Sequence, residues 1–124
     1  MNRYIAIVLV LLVLCVPQFA SAASVSFGAG LDADGGHAGG SGVDTGIGTP
    51  VTGKMHWSGT AVKFDNGWII GAIAILEGKV TRSNDAALDG KSIRVICNSE
   101  TNSVSVTVLE TGAVFSGIGN VTIK

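Results

Sequence analysis

Three aspartates in a glycine-rich stretch of this 124-residue sequence are spaced as candidate metal ligands. Asp32 and Asp34 precede a glycine as in an oxygen-ligand calcium loop, and Asp44 closes Gly39–Asp44, which matches the start of a calcium-binding glycine-rich repeat. Calcium takes about six to eight oxygens, and the third acid, the downstream glutamate and further repeat copies are missing. The aspartates are therefore calcium candidates whose alternative is a solvated loop, and no cofactor besides calcium is predicted.

The histidines do not form a zinc pattern. His37 and His56 are far apart in the sequence and Cys97 is farther still, whereas zinc sites combine about three or four nitrogen and sulfur ligands. The sequence also lacks the G-x-S-x-G nucleophile turn and the phosphate loop G-x-x-x-x-G-K-[ST]. We therefore predict no catalytic residue and no cofactor-binding residue.

One cysteine and two tryptophans complete the set of candidate residues. Cys97 alternates in register with Ile93 and Val95, which predicts a buried, free thiol, with a bridge between two chains as the alternative. Trp57 and Trp68 either fill a core or offer flat surfaces on which a sugar or another ligand stacks. Both interpretations stay open for each tryptophan.

The N-terminus has the organisation of an export signal. Arg3 is followed by the unbroken apolar run Ile5–Val16, and Ala20 and Ala22 occupy the small-residue positions of an A-x-A cleavage site. Such a run, as a helix, covers about 18 Å, well short of a hydrocarbon core of about 30 Å. We predict a signal peptide over residues 1–22, a secreted, periplasmic or cell-surface location, and no stable membrane span after cleavage; a retained anchor is the alternative.

The cations of the sequence occur singly along the chain, and the formal net charge is only −1. Nucleic-acid binding depends on clustered lysines and arginines that neutralise phosphates. No nucleic-acid partner is therefore predicted.

Residues 28–48 differ in composition from the rest of the exported chain. They contain nine glycines in 21 residues, no Lys or Arg, and few large apolar side chains. Such a stretch buries too little surface to offset its ordering entropy. We therefore predict a flexible arm or loop over residues 23–48, followed by a folded domain over residues 49–124.

Short alternating segments predict that this domain is all-β. Ser92–Asn98 and Ser103–Leu109 alternate apolar and polar residues across a polar turn, as in an antiparallel hairpin. Asp65–Gly67 is a further hairpin signal, and the apolar run Trp68–Leu76 predicts a central strand covered on both faces. The sequence therefore predicts about six to seven strands in a small antiparallel sandwich or barrel.

We expect an exported, non-enzymatic β-domain that acts by binding or self-assembly at the cell envelope or outside the cell. Ser103–Leu109 and Val121–Ile123 are uncharged, so one of them is predicted to be an edge strand that pairs with another protein or with a second copy. The alternatives are a small secreted enzyme or enzyme inhibitor that uses the three aspartates or His56, a calcium-stabilised surface module, and a soluble ligand carrier.

Overall fold

The computed structural model describes residues 22–32 and 35–124 and shows one closed antiparallel barrel of eight strands. The predicted all-β class is confirmed, and the alternatives of sandwich and barrel resolve to the barrel, with one strand more than the upper estimate. The predicted signal lies outside the described residues except for Ala22. The strands are β1 Ala23–Leu31, β2 Gly36–Asp44, β3 Thr52–Trp57, β4 Thr60–Ile70, β5 Ile73–Ser83, β6 Ser92–Asn98, β7 Ser103–Val108 and β8 Ala113–Ile123.

Each strand pairs with the next one along the chain, and β8 pairs with β1 to close the barrel. The connections therefore alternate between two ends. One end, which we call the mouth, carries the β1–β2 and β3–β4 turns, the β5–β6 loop with its 3-10 helix Ala86–Leu88, and the β7–β8 turn. The other end carries Ala22, Lys124 and the remaining connections, including the loop over residues 45–51.

The barrel interior is filled with apolar side chains that alternate with outward residues along each strand. The predicted alternation of β6 and β7 is confirmed, because every second residue of both strands is buried. The predicted polar turn between them is confirmed as well. The largest fully buried side chains are those of Phe64, Met55, Leu76, Ile93, Val25, Val62, Val95, Val104, Val106 and Cys97.

The prediction of a flexible arm over residues 23–48 is wrong in the described part, because β1 and β2 lie there as full members of the barrel. Few apolar side chains do not prevent order here, because backbone pairing holds these residues in the sheet. β1 forms ladders with both β2 and β8, and Val25 and Phe27 are buried. Glycine in these strands therefore allows neighbouring strands to approach one another closely.

Close approach is evident at Gly40 of β2. A Cβ placed on Gly40 would lie 2.8 Å from the Cα of Met55 and would overlap the carbonyl oxygen of Lys54. Gly119 of β8 has the same role, because a Cβ there would lie 2.7 Å from the Cα of Ala29. Glycine in a strand commonly marks such a bend or a close backbone approach.

The prediction of one central strand over Trp68–Leu76 is also wrong. The chain turns at Gly71–Ala72, and Gly71 has a φ of +59°, which fits the first position of a two-residue type II′ hairpin. Asp65–Gly67 lies inside β4, beside a register shift between Phe64 and Asn66. The apolar run Trp68–Leu76 is compatible with one strand or with two, because both faces of the β4–β5 hairpin are apolar in this region.

The predicted edge strands are paired in the closed barrel. Ser103–Val108 pairs with β6 on one side and with β8 on the other. Val121–Ile123 pairs with β1, and on its other side the Val121 N–H donates to Oδ1 of Asn102. These two segments are therefore not the free edge that the sequence predicted.

We predict that Gly40→Ala lowers the free energy of unfolding by about 1–3 kcal/mol, because the added methyl group overpacks the wall between β2 and β3. Gly30→Ala is the matched control, since a Cβ there meets nothing within 4 Å. The control is expected to leave stability unchanged or to raise it by about 0.5–1 kcal/mol. Urea unfolding of both variants measures the difference, and equal effects would contradict the role given to Gly40.

Candidate functional site

A cleft of about 340 Å³ opens at the mouth of the barrel. Its volume lies in the range of small-molecule sites, and barrel mouths are among the places where such sites occur. The floor is apolar and aromatic, whereas the rim carries hydroxyl, amide and carboxylate groups. The lining residues are Trp57, Leu88, Val108, Ala113 and Phe115 on the apolar side and Ser58, Thr60, Ser83, Asn84, Asp85 and Thr111 on the polar side, with Gly35 beside the indole.

Trp57 is the fixed element of the floor. It is the last residue of β3 and only 5% exposed, and its Nε1–H donates to the carbonyl oxygen of Gly35 at 2.6 Å. The Phe115 ring lies 5.5 Å away at an interplanar angle of 53°, a tilted arrangement that aromatic pairs favour. Because its donor is satisfied and its ring is packed, the indole is held in one orientation.

The β3–β4 turn brings Trp57 and Thr60 opposite each other. Ser58 and Gly59 both have positive φ, as a type I′ turn requires, and the Ser58 hydroxyl accepts the N–H of His37 at 2.9 Å. The turn is thereby tied to β2. The floor and the rim of the cleft are thus connected through a single tight hairpin.

A chain of hydrogen bonds orders the polar rim. Thr60 Oγ1 and Ser83 Oγ lie 2.7 Å apart, and Ser83 Oγ also accepts the N–H of Asp85 at 3.0 Å. Asp85 Oδ1 in turn accepts the N–H of Ala87 and caps the 3-10 helix. Thr60 is the one buried polar residue among those described, and its hydroxyl is satisfied by this chain.

The electrostatic character of the cleft is neutral to acidic. Asp85 is the single charged side chain among the lining residues. An apolar floor with hydroxyls and one carboxylate favours an uncharged or cationic molecule and disfavours an anion, which would lie near the carboxylate without a compensating cation. The arrangement can hold and orient a ligand.

In residues 22–32 and 35–124, no three His, Cys, Asp or Glu side chains are grouped so that they could hold a metal ion.

The structure does not bring the calcium candidates Asp32 and Asp44 together. Asp32 follows β1 at the mouth, whereas Asp44 ends β2 eight residues beyond Gly36, about 26 Å along the strand. Asp32 Oδ1 accepts the N–H of Ser116, and Asp44 Oδ1 accepts the N–H of Gly46. Asp34 lies outside the described residues, so a calcium site that combines Asp32 and Asp34 stays a prediction.

The other candidate residues separate into buried and exposed ones. Cys97 is buried and free, as predicted, and burial raises the pKa of its thiol to about 12. Trp57 is buried and lines the mouth, whereas Trp68 lies on the outer surface and is 50% exposed. His37 and His56 are exposed on the outer surface of β2 and β3.

Several residues of the mouth escaped the sequence analysis. Phe115, Thr60 and Ser83 belong to three different strands, and only the barrel register brings them beside Trp57. A cleft assembled from four separate connections has no local sequence pattern. The tryptophan itself was the one available signal, since a large aromatic residue at the end of a strand can line a barrel mouth.

Comparison with known proteins gives no relative. No protein-family model, no curated protein and no solved structure matches this chain. Within the described part of the chain, none of the helical structure is long and apolar enough to span a bilayer. The function must therefore be argued from the described residues themselves.

We predict that the Cys97 thiol of the folded protein does not react with a thiol reagent near neutral pH. A rise of its pKa from 9.0 to about 12 lowers the thiolate population about a thousandfold. The reaction rate should therefore follow global unfolding, and the folded protein should contain no interchain disulfide. Fast labelling of the native protein would contradict this burial.

The same shift makes stability depend on pH through Cys97, because the pKa is higher in the folded state. This contribution is fully present below pH 9.0 and is lost as pH rises toward about 12. Cys97→Ala serves as the control, since its free energy of unfolding should lack this part of the alkaline decline.

Proposed function

We propose that this chain is an exported, non-enzymatic binding domain that holds a small molecule at the mouth of its barrel. Export rests on the N-terminal sequence, with its apolar run and its A-x-A site. Binding rests on the mouth cleft, where a fixed aromatic floor lies beside an ordered polar rim. The ligand class is a small uncharged or cationic molecule with one apolar face and hydroxyl or amide groups at one edge.

The observation that carries this proposal is the hydrogen bond from Trp57 to Gly35. A buried indole N–H needs an acceptor, which Gly35 supplies, and this bond fixes the ring where it lines the cleft. Groups whose rotamers are fixed before binding lose little entropy when a ligand arrives. A preorganised aromatic floor therefore supports binding better than a loosely packed one does.

The enzyme alternative receives no comparable support from the geometry. Asp32 and Asp44 lie at opposite ends of the β1–β2 hairpin, and His56 faces outward on β3. None of these three lines the mouth cleft. A nucleophile and a base must lie within hydrogen-bond reach of each other, so these residues do not make a catalytic pair.

A specific observation also favours self-association as a second function. β3 pairs with β4 only as far as Phe64, so Asn66–Ile70 has a strand partner on the β5 side alone. Along this segment Trp68 is 50% exposed and Ile70 is 71% exposed. Next to them, in register on β5 and β6, lie Ile75 and Ile96. We call this surface the Trp68 patch.

The partner that we propose for the Trp68 patch is a second copy of this chain. Asn66–Ile70 carries no charge, and at the border of the patch Arg94 Nε already donates to Glu77 at 2.8 Å. An antiparallel pairing of two such segments centred on Trp68 joins the open backbone edges and covers both apolar patches without opposing like charges. Strand addition at an open edge is a recurrent mode of association.

The mouth proposal is tested with the neutral fluorescent probe N-phenyl-1-naphthylamine, whose emission rises in an apolar site. We predict saturable binding to the wild type and at least about tenfold weaker binding to Ala113→Leu, because the larger side chain fills the cleft. Val114→Leu is the matched control, since Val114 is the outward neighbour and 57% exposed. No saturable binding, or unchanged binding by Ala113→Leu, would refute the mouth as a site.

Self-association is tested by light scattering at high micromolar concentration. We predict that the wild type forms a dimer and that Ile70→Lys is a folded monomer, because charged groups lose hydration when they are buried between two copies. Ile118→Lys is the control, since Ile118 is 70% exposed on β8 and lies outside the patch. A monomeric wild type, or equal loss of the dimer in both variants, would eliminate the patch as the interface.

A further inference from the structure

Three lysines lie side by side on the outer surface of the barrel. Lys54 on β3 is directly opposite Lys63 on β4, and Lys63 is directly opposite Lys79 on β5. All three side chains are exposed. Residues directly opposite in antiparallel strands have Cβ atoms about 4.5–5.5 Å apart, so the three ammonium groups start from neighbouring positions on one face.

A histidine and an arginine extend this row along the strands. The next outward position of β3 is His56, which is opposite Ala61, and Ala61 is in turn opposite Arg82 of β5. Four of the seven Lys and Arg residues in the described part of the chain thus lie on the outer surface of three adjacent strands. We call this surface, formed by Lys54, Lys63, Lys79 and Arg82 with His56, the basic face.

None of the described carboxylates forms an ion pair within 4.0 Å with a member of the row. Among the described residues, one ion pair has its charged atoms within 4.0 Å of each other. It joins Arg94 and Glu77, beyond Lys79 on the β5–β6 side. Asp65 and Glu77 border a separate depression together with Lys79. Neither carboxylate lies within 4.0 Å of the Lys79 ammonium group. The basic face is therefore a concentration of positive charge on a chain whose formal net charge is −1.

This arrangement opposes folding. Like charges directly opposite one another on a sheet are destabilising, and exposed strand positions accept threonine or other neutral residues without such repulsion. The two adjacent lysine pairs share Lys63, so the middle side chain is repelled from both sides. A bound anion would convert this repulsion into attraction.

A groove of about 480 Å³ lies on the same surface and is lined by Lys54, Lys63 and His56 of the basic face. Two small residues, Gly53 and Ala61, are among the residues that line it. Hydroxyl groups border it beside the cations, and Val43 is its one large exposed apolar side chain. The hydroxyl residues are Ser41, Thr52 and Thr81.

We propose that the basic face binds an acidic polysaccharide, with the lysines contacting its sulfate, phosphate or carboxylate groups and the hydroxyls contacting the sugar. The mixture of ammonium and hydroxyl donors in a shallow open groove fits a hydrated, charged sugar chain. Single-stranded nucleic acids need aromatic side chains on which bases stack, and His56 is the one ring on this face. An anionic bilayer additionally favours inserted apolar side chains, which this face lacks apart from Val43.

Strand register, which the sequence analysis could not supply, creates this surface. Lys54, Lys63 and Lys79 occur singly in the sequence, which by itself predicts isolated cations. The two hairpins from β3 to β5 align them in one row. The inference does not depend on the mouth ligand, because the two sites share none of their lining residues.

The test measures fluorescence anisotropy of a labelled heparin oligosaccharide and of labelled oligogalacturonate with the full protein at low ionic strength. We expect binding of at least one of them, loss of binding as salt is added, and about tenfold or greater weakening in Lys63→Gln, because each neutralised contact contributes to polyanion binding. Lys124→Gln, which removes an equal charge outside the basic face, should bind as the wild type does.

Thermal unfolding separates this role from a structural one. Lys63→Gln should keep or raise the midpoint of unfolding, because it removes repulsion, while binding falls. If that variant is unstable, the double variant Lys54→Gln with Lys79→Gln provides the same comparison. Absence of binding to both oligosaccharides, equal weakening by Lys124→Gln, or tighter binding to duplex DNA or to phosphatidylglycerol vesicles would overturn the proposal.

Discussion

Closure of the barrel through the pairing of β1 with β8 is the interaction on which the rest of the structure depends. Val25 to Ala29 pair with Ile123 to Gly119, so the first and last strands of the barrel form one wall. The wall can close tightly because Gly119 leaves space beside Ala29, where any side chain would meet the opposite backbone. Glycine content and compactness are thus two aspects of one constraint, since a small barrel needs sharply bent strands.

Closure also determines where function can be located. Phe64, Met55 and Leu76 fill the interior, and Leu76 lies so close to Gly42 that a Cβ there would be 2.8 Å from its Cδ2. A filled interior has no central cavity of the kind that larger barrels enclose. The clefts of the described residues therefore lie at the two ends of the barrel, including the mouth where Trp57 ends its strand, and on the outer surface of the sheet.

Structural features that depend on neighbouring residues along the chain could be predicted from the sequence. Features that depend on the register between strands could not. The alternation of Ile93, Val95 and Cys97 was sufficient to predict β6 and the burial of the thiol, because a strand separates its two faces with a period of two. The glycine-rich strand β2 was missed, since its stability comes from partners in β1 and β3. The turn at Gly71 was missed because the apolar residues on both sides of it gave no periodic signal.

The same distinction applies to the candidate sites. Trp57 could be chosen from its residue type alone, but its partner Phe115 comes from the other end of the chain. Lys54 and Lys63 become directly opposed like charges only when β3 and β4 align them. Charge repulsion that folding creates on an exposed sheet is informative, since apolar burial elsewhere must compensate for it. The proposal of an anionic partner rests on this repulsion, because a bound anion would offset it between adjacent ammonium groups.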